Sequence, residues 1–289
     1  MNKKVIVRLQ GGLGNQLHQY AYGLLLAKKN DAELYLDTDF LTHHSKKLNI
    51  TLRDLEINKF KLQAKFYKSI FTNQFFFSAL KRLKLNKIFE LLGFSIVSSY
   101  VPLSELNNKK IKFYYLDGIM GLYDDYKDEV AYVLNNLEIS NTFLELEKQV
   151  KSCISGNAVA MHIRRTDYLK KGSIHHVLGL EYYQNSINYI ESKLTDPVFY
   201  IFSDDRNFVK DNFIGEKFKI IDYSGDNAAF FDFLAIKNCQ HHIIANSTFS
   251  WWAAFLNMKK DNITICPSIC LTTEDLNLLS TYPSKWLVF

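Results

Sequence analysis

Two adjacent arginines stand where a short strand is predicted to end. The apolar run from Ala158 to Met161 leads through His162 into Arg164 and Arg165. On a strand, residues two apart share a face, so His162 and Arg164 are expected on one side and Arg165 on the other. A guanidinium suits phosphate oxygens, and ligands of open α/β sheets lie beyond the carboxyl ends of the strands. The pattern predicts an anionic ligand at this edge, a diphosphate above all.

A glycine-rich turn follows the first predicted strand. Gly11, Gly12 and Gly14 separate the strand Val5 to Leu9 from a helix through about Lys29. Glycines let a backbone approach a ligand closely, and the amides of a helix start face an anion. The third glycine of the dinucleotide fingerprint is absent at its usual spacing. Ligand contact and a tight structural turn both remain open.

Three acidic residues follow or interrupt apolar segments. Asp204 and Asp205 come directly after a predicted strand at 198–202, where helix capping by Ser203 or Asp204 and contact with a ligand are alternatives. Asp232 lies in a predicted helix at 227–238 that is apolar on nearly every side. A buried carboxylate needs partners, which either the N1 and N2 donors of a guanine or a neighbouring loop could supply.

Polar side chains also open a later helix. They follow the predicted strand 241–245 and are Asn246, Ser247, Thr248 and Ser250. Ser247 or Thr248 can cap the helix, whose free amides and positive dipole end favour a phosphate. Capping explains one hydroxyl, and three hydroxyls are more than a cap needs.

Strands alternate with helices through the second half of the chain, which predicts an α/β fold with parallel sheets. The predicted strands there are 158–163, 198–202, 218–222, 241–245 and 263–266, with helices from about 181 and 206 and at 227–238 and 249–258. Earlier strands are predicted at 5–9, 33–36 and 113–116, residues 40–112 look irregular, and 124–151 looks helical. A boundary at Gly156-Asn157 divides the chain into domains 1–155 and 156–289.

Composition sets the class of protein. The 289 residues suffice for two domains, and 47% hydrophobic residues exclude a disordered chain. The net charge of +5 is too small and dispersed to indicate nucleic acid. The sequence has neither a secretory leader pattern nor a run of about 20 uncharged apolar residues, so a cytoplasmic protein is expected. The four cysteines are expected to be buried free thiols, and no metal site is predicted.

Four motifs fall into one order along the chain. They are Gly11-Gly12-Leu13-Gly14-Asn15-Gln16, His162-Ile163-Arg164-Arg165-Thr166-Asp167-Tyr168, Phe202-Ser203-Asp204-Asp205 and Ile244-Ala245-Asn246-Ser247-Thr248-Phe249-Ser250-Trp251-Trp252. In these motifs the chain resembles the bacterial α1,2-fucosyltransferases of glycosyltransferase family eleven, which share motifs with α1,6- and protein O-fucosyltransferases. The resemblance runs essentially from end to end.

The resemblance implies a GT-B type fold: two Rossmann-like domains with parallel sheets facing a central cleft. Residues 1–155 would bind the acceptor and residues 156–289 GDP-fucose, with the last helix packing back on the first domain. The implied reaction is inverting, metal-independent transfer of L-fucose from GDP-β-L-fucose to the 2-hydroxyl of a terminal galactose or related unit. The setting would be synthesis of O-antigen or another surface polysaccharide. No cofactor is implied.

The resemblance also implies roles for single residues. Arg164 and Arg165 would grip the β-phosphate, and His162 and Asp232 would meet guanosine. The full implied donor-binding set is Gly12, Gly14, His162, Arg164, Arg165, Asp204, Asp232, Asn246, Ser247, Thr248, Phe249 and Ser250.

Arg164 would also act in catalysis, by stabilising charge on the leaving oxygen. Asp167 is the first candidate for the general base and His18 the second, while Asn15 would orient the acceptor or the sugar. Asp167 bracing the arginines is the alternative. Relatives commonly carry an aromatic residue or glycine at the position of His18. This difference leaves the identity of the acceptor sugar open, but not that of the donor.

Other interpretations remain open. One is a fucosyltransferase of another linkage, and another is a non-catalytic nucleotide-sugar-binding protein on the same fold. The basic and aromatic region 61–101 suits either peripheral contact with the inner membrane, where a lipid-linked glycan acceptor would lie, or a domain insertion. The expected partners are the sugar nucleotide and a glycan, with no nucleic acid.

Overall fold

A computed structural model describes residues 2–41, 54–67, 86–118, 121–169, 175–257, 261–269 and 282–289. The chain divides into two compact units, Met1–Ser140 and Asn141–Phe289. Within these described ranges, no helix combines the length and the apolar character that a membrane span requires.

The first unit is built on a parallel sheet. Its helices and strands are β1 Lys3–Arg8, α1 Leu13–Asn30, β2 Ala32–Asp37, β3 Phe60–Lys61, β4 Lys65–Tyr67, α2 Asn86–Leu91, β5 Phe94–Val97, β6 Phe113–Asp117, α3 Tyr123–Tyr126, α4 Val130–Asn135 and β7 Glu138–Ile139. The described strands form a five-stranded sheet in the order β4-β2-β1-β6-β5, with every pair parallel. The glycine turn therefore follows the central strand, at the carboxyl edge of the sheet.

Helix α1 lies closely on strand β1. A Cβ atom on Gly23 would stand 2.3 Å from the side chain of Val7, so glycine allows this approach. Leu17 and Tyr20 are fully buried on the same helix. The helix ends at Asp31, whose left-handed backbone donates its N–H to the carbonyls of the last turn.

The first unit departs from the sequence prediction in two places. Strands β4 and β5 lie in the stretch predicted to be irregular, and both are edge strands of the sheet, so the described parts of 61–101 are not an insertion. The helix predicted over 124–151 is divided into α3, α4, the short strand β7 and a further helix, because β7 leaves it to pair with β3.

The second unit has the strand order of a Rossmann fold. Its elements are α5 Leu144–Cys153, β8 Asn157–Ile163, α6 Leu180–Lys193, β9 Pro197–Ser203, α7 Arg206–Asn212, β10 Phe218–Ile220, α8 Ala228–Asn238, β11 His241–Ile243, α9 Thr248–Phe255, β12 Thr264–Cys266 and β13 Leu287–Val288. The described sheet is parallel throughout, in the order β10-β9-β8-β11-β12-β13. In chain order this is 3-2-1-4-5-6, so the order reverses between β8 and β11, where such sheets bind ligands.

Helix α5 belongs to the second unit. Glu147 on α5 accepts a hydrogen bond of 2.7 Å from Lys237 on α8, and the rings of Phe143 and Phe230 pack edge to face. The units therefore divide at 140/141, ahead of the boundary predicted at 155/156. A last helix packing back on the first domain would involve 270–281, which lies outside the described residues.

The cysteines match their prediction in part. Cys239 and Cys266 are buried free thiols, as predicted, whereas Cys153 at the end of α5 is exposed. Cys270 lies outside the described residues.

Candidate functional site

Three neighbouring strands of the second unit end in predicted site residues. Arg164 follows β8, Asp204 follows β9 and Asn246 comes three residues after the end of β11. Because β9, β8 and β11 are adjacent and parallel, their carboxyl ends meet at one edge. The fold thus brings these residues together where the strand order reverses.

Arg164 is oriented by two carboxylates. Its Nη2 donates to Oδ2 of Asp167 at 2.6 Å, and its Nη1 lies 3.2 Å from Oδ2 of Asp204. Burial lowers the pKa of the guanidinium and the Asp167 hydrogen bond raises it, with a net rise, so its positive charge is secure. The side chain keeps 28% of its surface exposed, which leaves it accessible to an anion.

Asp204 and Asp205 have different partners, and the cap of α7 is Asp205 rather than the predicted Ser203 or Asp204. Asp205 caps α7, since its Oδ1 accepts the N–H of Phe208 at 3.1 Å. Asp204 instead accepts the backbone N–H of Arg165 at 2.9 Å and the hydroxyl of Thr166 at 2.6 Å. Asp204 therefore fixes the loop that carries the arginines, and Thr166 is a positioning residue that sequence reasoning missed.

Arg165 faces other partners, as strand alternation predicts. Its Nε lies 3.3 Å from Asp205, its Nη1 donates to the carbonyl of Leu178 at 3.3 Å, and its guanidinium lies 3.9 Å from the ring centre of Phe208. These contacts hold Arg165 within the protein. The side chain of Arg165 is 17% exposed against 28% for Arg164, so Arg164 is the more accessible of the two, and the expected contact of both with a phosphate stays a prediction.

His162 is buried next to the arginine. Burial lowers the pKa of its ring to about 4, helped by the charge of Arg164 and opposed by Asp204. Within the described part of the chain, its Nδ1 is buried without a hydrogen-bond partner. The ring of Phe249 lies 5.8 Å away. A neutral imidazole with an unused nitrogen suits a ligand that offers a complementary polar group.

Asp232 stands in an apolar part of α8. Burial raises the pKa of its carboxyl group to about 7, with Arg206 opposing and Asp222 reinforcing the rise. Arg206 and Asp222 pair with each other in an exposed ion pair. No described residue forms a hydrogen bond or ion pair with Asp232. Keeping this half-buried carboxylate ionised therefore costs free energy, which a ligand that donates hydrogen bonds to it could offset.

The start of α9 supplies the remaining predicted residues, which are Asn246, Ser247, Thr248, Phe249 and Ser250. Ser247 is the cap, and its Oγ accepts the N–H of Phe249 at 3.4 Å. Asn246 donates to the carbonyl of His176 at 2.8 Å, and the buried Ser250 hydroxyl donates to the carbonyl of Ser247. These side chains shape the helix start, and the first-turn amides carry its attraction for an anion.

In the first unit, the glycine turn leaves room above α1. Gly11 has a φ of +76°, and a Cβ there would stand 2.5 Å from Nδ2 of Asn15. Gly12 precedes the helix as its cap, and a Cβ on Gly12 would have no described atom within 4 Å. Gly14 lies in the first turn of α1 and is buried.

Two buried glutamines hold this turn, and sequence reasoning missed both. Gln16 donates to the carbonyls of Gly11 and Asp54, each at 2.8 Å, and accepts the N–H groups of Glu56 and Ile57. Gln19, one turn further along α1, bonds both the N–H and the carbonyl of residue 10. Their signal is two glutamines three residues apart on the face of a helix whose buried residues are mostly apolar.

His18 is buried in the first unit. Its Nδ1 lies 3.1 Å from the hydroxyl of Tyr126, and its ring also bonds the backbone of Gly121. Burial lowers the pKa of His18 to about 3, in spite of the Gly121 contact. A ring so enclosed and so weakly basic does not suit a general base, the role for which His18 was the second candidate after Asp167.

Within the ranges described, no three His, Cys, Asp or Glu side chains gather in a way that could hold a metal ion.

Comparison with known proteins gives the family. The family model described as glycosyl transferase family 11 matches residues 1–287. The chain is 28% identical to an α1,2-colitosyltransferase of Escherichia coli, with 98% of each chain covered. It is 30% identical to the O-antigen biosynthesis glycosyltransferase WbnK of Escherichia coli, covering 90% of this chain and 92% of that one.

Solved structures give the fold. The fucosyltransferase NodZ from Bradyrhizobium superposes with a TM-score of 0.56 at 12% identity, covering 89% of this chain and 94% of that one. Arabidopsis thaliana FUT1, solved with GDP, gives 0.55 at 11% identity over 91% and 70% of the two chains. The expected GT-B type fold, with two Rossmann-like parallel-sheet units, is confirmed.

Proposed function

The chain belongs to glycosyl transferase family 11, and from this premise we propose that it transfers L-fucose from GDP-β-L-fucose to the 2-hydroxyl of a terminal galactose or related unit. The acceptor would be a glycan of O-antigen or another surface polysaccharide. The single observation that carries the proposal is Arg164, accessible and fixed by Asp167 and Asp204 where the strand order reverses.

The chemistry needs such an arginine. When the bond between C1 of fucose and the β-phosphate oxygen breaks, that oxygen gains negative charge and the sugar gains oxocarbenium character. A guanidinium already in place stabilises the leaving oxygen without reorganising. Attack of the acceptor hydroxyl on the opposite face then converts the β-linked donor into an α-linked product. Because Arg164 supplies the positive charge, the proposed transfer needs no metal ion.

Asp167 then acts as a positioning residue. A general base must accept the acceptor's proton on the face opposite the leaving phosphate. Asp167 lies 2.6 Å from the arginine assigned to the leaving oxygen, and therefore on the leaving-group side. This geometry favours the alternative that Asp167 braces the arginine over its role as base.

Guanosine has a matching environment in the second unit. The unpaired carboxylate of Asp232 could accept from N1–H and N2–H of guanine, two charge-assisted hydrogen bonds. His162 and Phe249 offer a buried ring nitrogen and an aromatic ring beside it. The start of α9 would face the diphosphate with its free amides.

A second donor is favoured by one relative. The chain is 28% identical, over nearly its whole length, to an α1,2-colitosyltransferase, and colitose is L-fucose without its 3-hydroxyl group. The α1,2 linkage is common to both candidates, whereas the donor sugar differs by one hydroxyl. The test therefore includes both sugar nucleotides.

The deciding experiment is release of GDP in the presence of EDTA, with either donor, a panel of β-galactosides and a control without acceptor. We expect release that depends on the acceptor and a product whose NMR spectrum shows an α1,2 linkage. Arg164→Ala should abolish release, while Arg206→Ala, which removes an exposed arginine, should not. Donor binding without release on any acceptor would instead indicate a nucleotide-sugar-binding protein, and another linkage in the product would refute the α1,2 assignment.

A further inference from the structure

An exposed apolar patch lies at one end of the first unit's sheet. Its four residues belong to α2, to the turn after α2 and to the first position of β5. The apolar patch consists of Ile88, 53% exposed, Leu91, 87%, Leu92, 65%, and Phe94, 41%. Single exposed apolar side chains are common, but four of them within seven residues of the chain are a concentration of the kind that marks an interaction site.

Three exposed lysines lie in the chain segment that hydrogen-bonds to Gly93, between Leu92 and Phe94 of the patch. This lysine rim consists of Lys109, Lys110 and Lys112. The carbonyl of Gly93, between Leu92 and Phe94, accepts the N–H of Lys112 at 2.8 Å, and the rings of Phe94 and Phe113 stack at 4.7 Å. Within the described chain none of the three lysines forms an ion pair, and Glu90 is the acidic residue of α2. The rim therefore keeps a positive charge next to the apolar surface.

We propose that the apolar patch and the lysine rim dock this unit on an anionic lipid surface. Leucine and phenylalanine side chains enter the boundary between headgroups and acyl chains, while lysines meet the anionic headgroups. The combination favours lipid over a second copy of the chain, because a symmetric dimer through this surface would bring two lysine rims close to each other. The proposal is independent of the sugar-transfer reaction.

The position of the patch is compatible with ligand binding in the same unit. Phe94 and Phe113 begin β5 and β6, whereas Gly118 follows the end of β6 and accepts a hydrogen bond from Gln10 beside the glycine turn. The five residues of β6 span roughly 13 Å at about 3.3 Å per step. A lipid surface at the starting edge therefore leaves the carboxyl edge of this sheet free.

Co-sedimentation with vesicles tests the proposal. The probes are vesicles of phosphatidylcholine alone and vesicles with one third phosphatidylglycerol. We expect binding to the anionic vesicles only, weakened at least about tenfold by the double substitution Leu91→Ser and Leu92→Ser. Neutralising the rim should weaken binding by about fivefold for each lysine replaced by glutamine. Ile214→Ser and Lys210→Gln, at exposed positions of the second unit, are the matched controls.

The outcomes separate lipid from other partners. Equal binding to both kinds of vesicle, or binding that all the variants retain, would overturn the proposal. So would a dimer in analytical ultracentrifugation that the leucine variant dissociates, since a second copy would then cover the patch. Because none of the substituted leucines and lysines belongs to the residues assigned to donor binding or catalysis, GDP release on a soluble acceptor should stay within about twofold of the parent in each variant.

Discussion

Replacing Asp232 by asparagine should stabilise the protein and weaken its hold on the donor at the same time. In the folded chain, burial raises the pKa of this carboxyl group from 3.8 to about 7. Its ionisation therefore costs the folded state free energy: the stability present below pH 4 is lost as the pH rises towards 7. The full shift corresponds to about 4 kcal/mol, and screening of a half-buried group reduces this to about 1–3 kcal/mol.

The expected effect on stability has a characteristic pH dependence. Asp232→Asn removes the cost of ionisation, so the variant should unfold with a free energy about 1–3 kcal/mol above that of the parent at pH 8. The difference should shrink as the pH falls from 7 and vanish near pH 4, where the parent carboxyl group is neutral as well. Urea denaturation at several pH values measures it, with Asp211→Asn, at an exposed position of α7, as the control.

Donor binding should change in the opposite direction. The variant loses an anionic acceptor for two guanine N–H groups, which costs about 2–3 kcal/mol, a roughly 30- to 150-fold rise in Kd for GDP at pH 8. Affinity of the parent should fall below pH 7, as the carboxyl group takes up a proton, whereas the variant should lack this component. Calorimetric titration measures both. A variant less stable than its parent would show that a protein partner holds Asp232, and unchanged GDP affinity would refute its contact with guanine.

Four further substitutions test the site and the residues that support it. Arg164→Ala should lower turnover at least about 100-fold in the GDP-release assay, with little change in Tm. Arg165→Ala should instead lower the free energy of unfolding by about 1–3 kcal/mol. Equal losses of turnover in both variants, without destabilisation, would contradict a catalytic role for Arg164 and a structural role for Arg165. His18 has its pKa lowered to about 3, so between pH 6.5 and 5 the parent should lose about 2 kcal/mol of stability through this ring, because the unfolded chain takes up the proton first. In His18→Gln, that part of the pH slope in urea denaturation should disappear. Gln16→Ala should cost about 2–4 kcal/mol by leaving buried backbone groups unpaired, against less than about 0.5 kcal/mol for the exposed Gln149→Ala; equal effects would refute the role of Gln16 in holding the turn.

Strands β8 to β11 of the second unit could be predicted because each is followed by polar residues and a helix, whereas the two-residue strand β13 at the end of the chain was not predicted. The switch between β8 and β11 explains why motifs about 80 residues apart share one edge. The different partners of Arg164 and Arg165 follow from alternation along a strand. Which arginine remains accessible could not be predicted, because it depends on Leu178 and Phe208, which come from elsewhere in the chain.

The first unit was harder to predict for physical reasons. Strands β4 and β5 are short, lie at the sheet edges and have exposed apolar residues, so they lack the alternating buried positions of β1. The buried glutamines of α1 look like ordinary polar positions until the loop at 54–57 supplies their partners. For His18, the sequence offers a titratable ring, and only the packing of Tyr126 against it shows that the ring is enclosed.

The charges of the arginine loop limit how it can hold a diphosphate. Arg164 and Arg165 lie among Asp167, Asp204 and Asp205, which gives two cations against three carboxylates. A cluster of this net charge does not attract an anion over a distance; its contribution must come from donors aimed at short range. Asp204 and Asp167 fix where the guanidinium of Arg164 points, and the first-turn amides of α9 add neutral donors. The carboxylates thus cancel the long-range attraction of the arginines for an anion and fix the direction of the Arg164 guanidinium. In the proposed transfer, stabilising a developing charge on one leaving oxygen requires such a fixed direction.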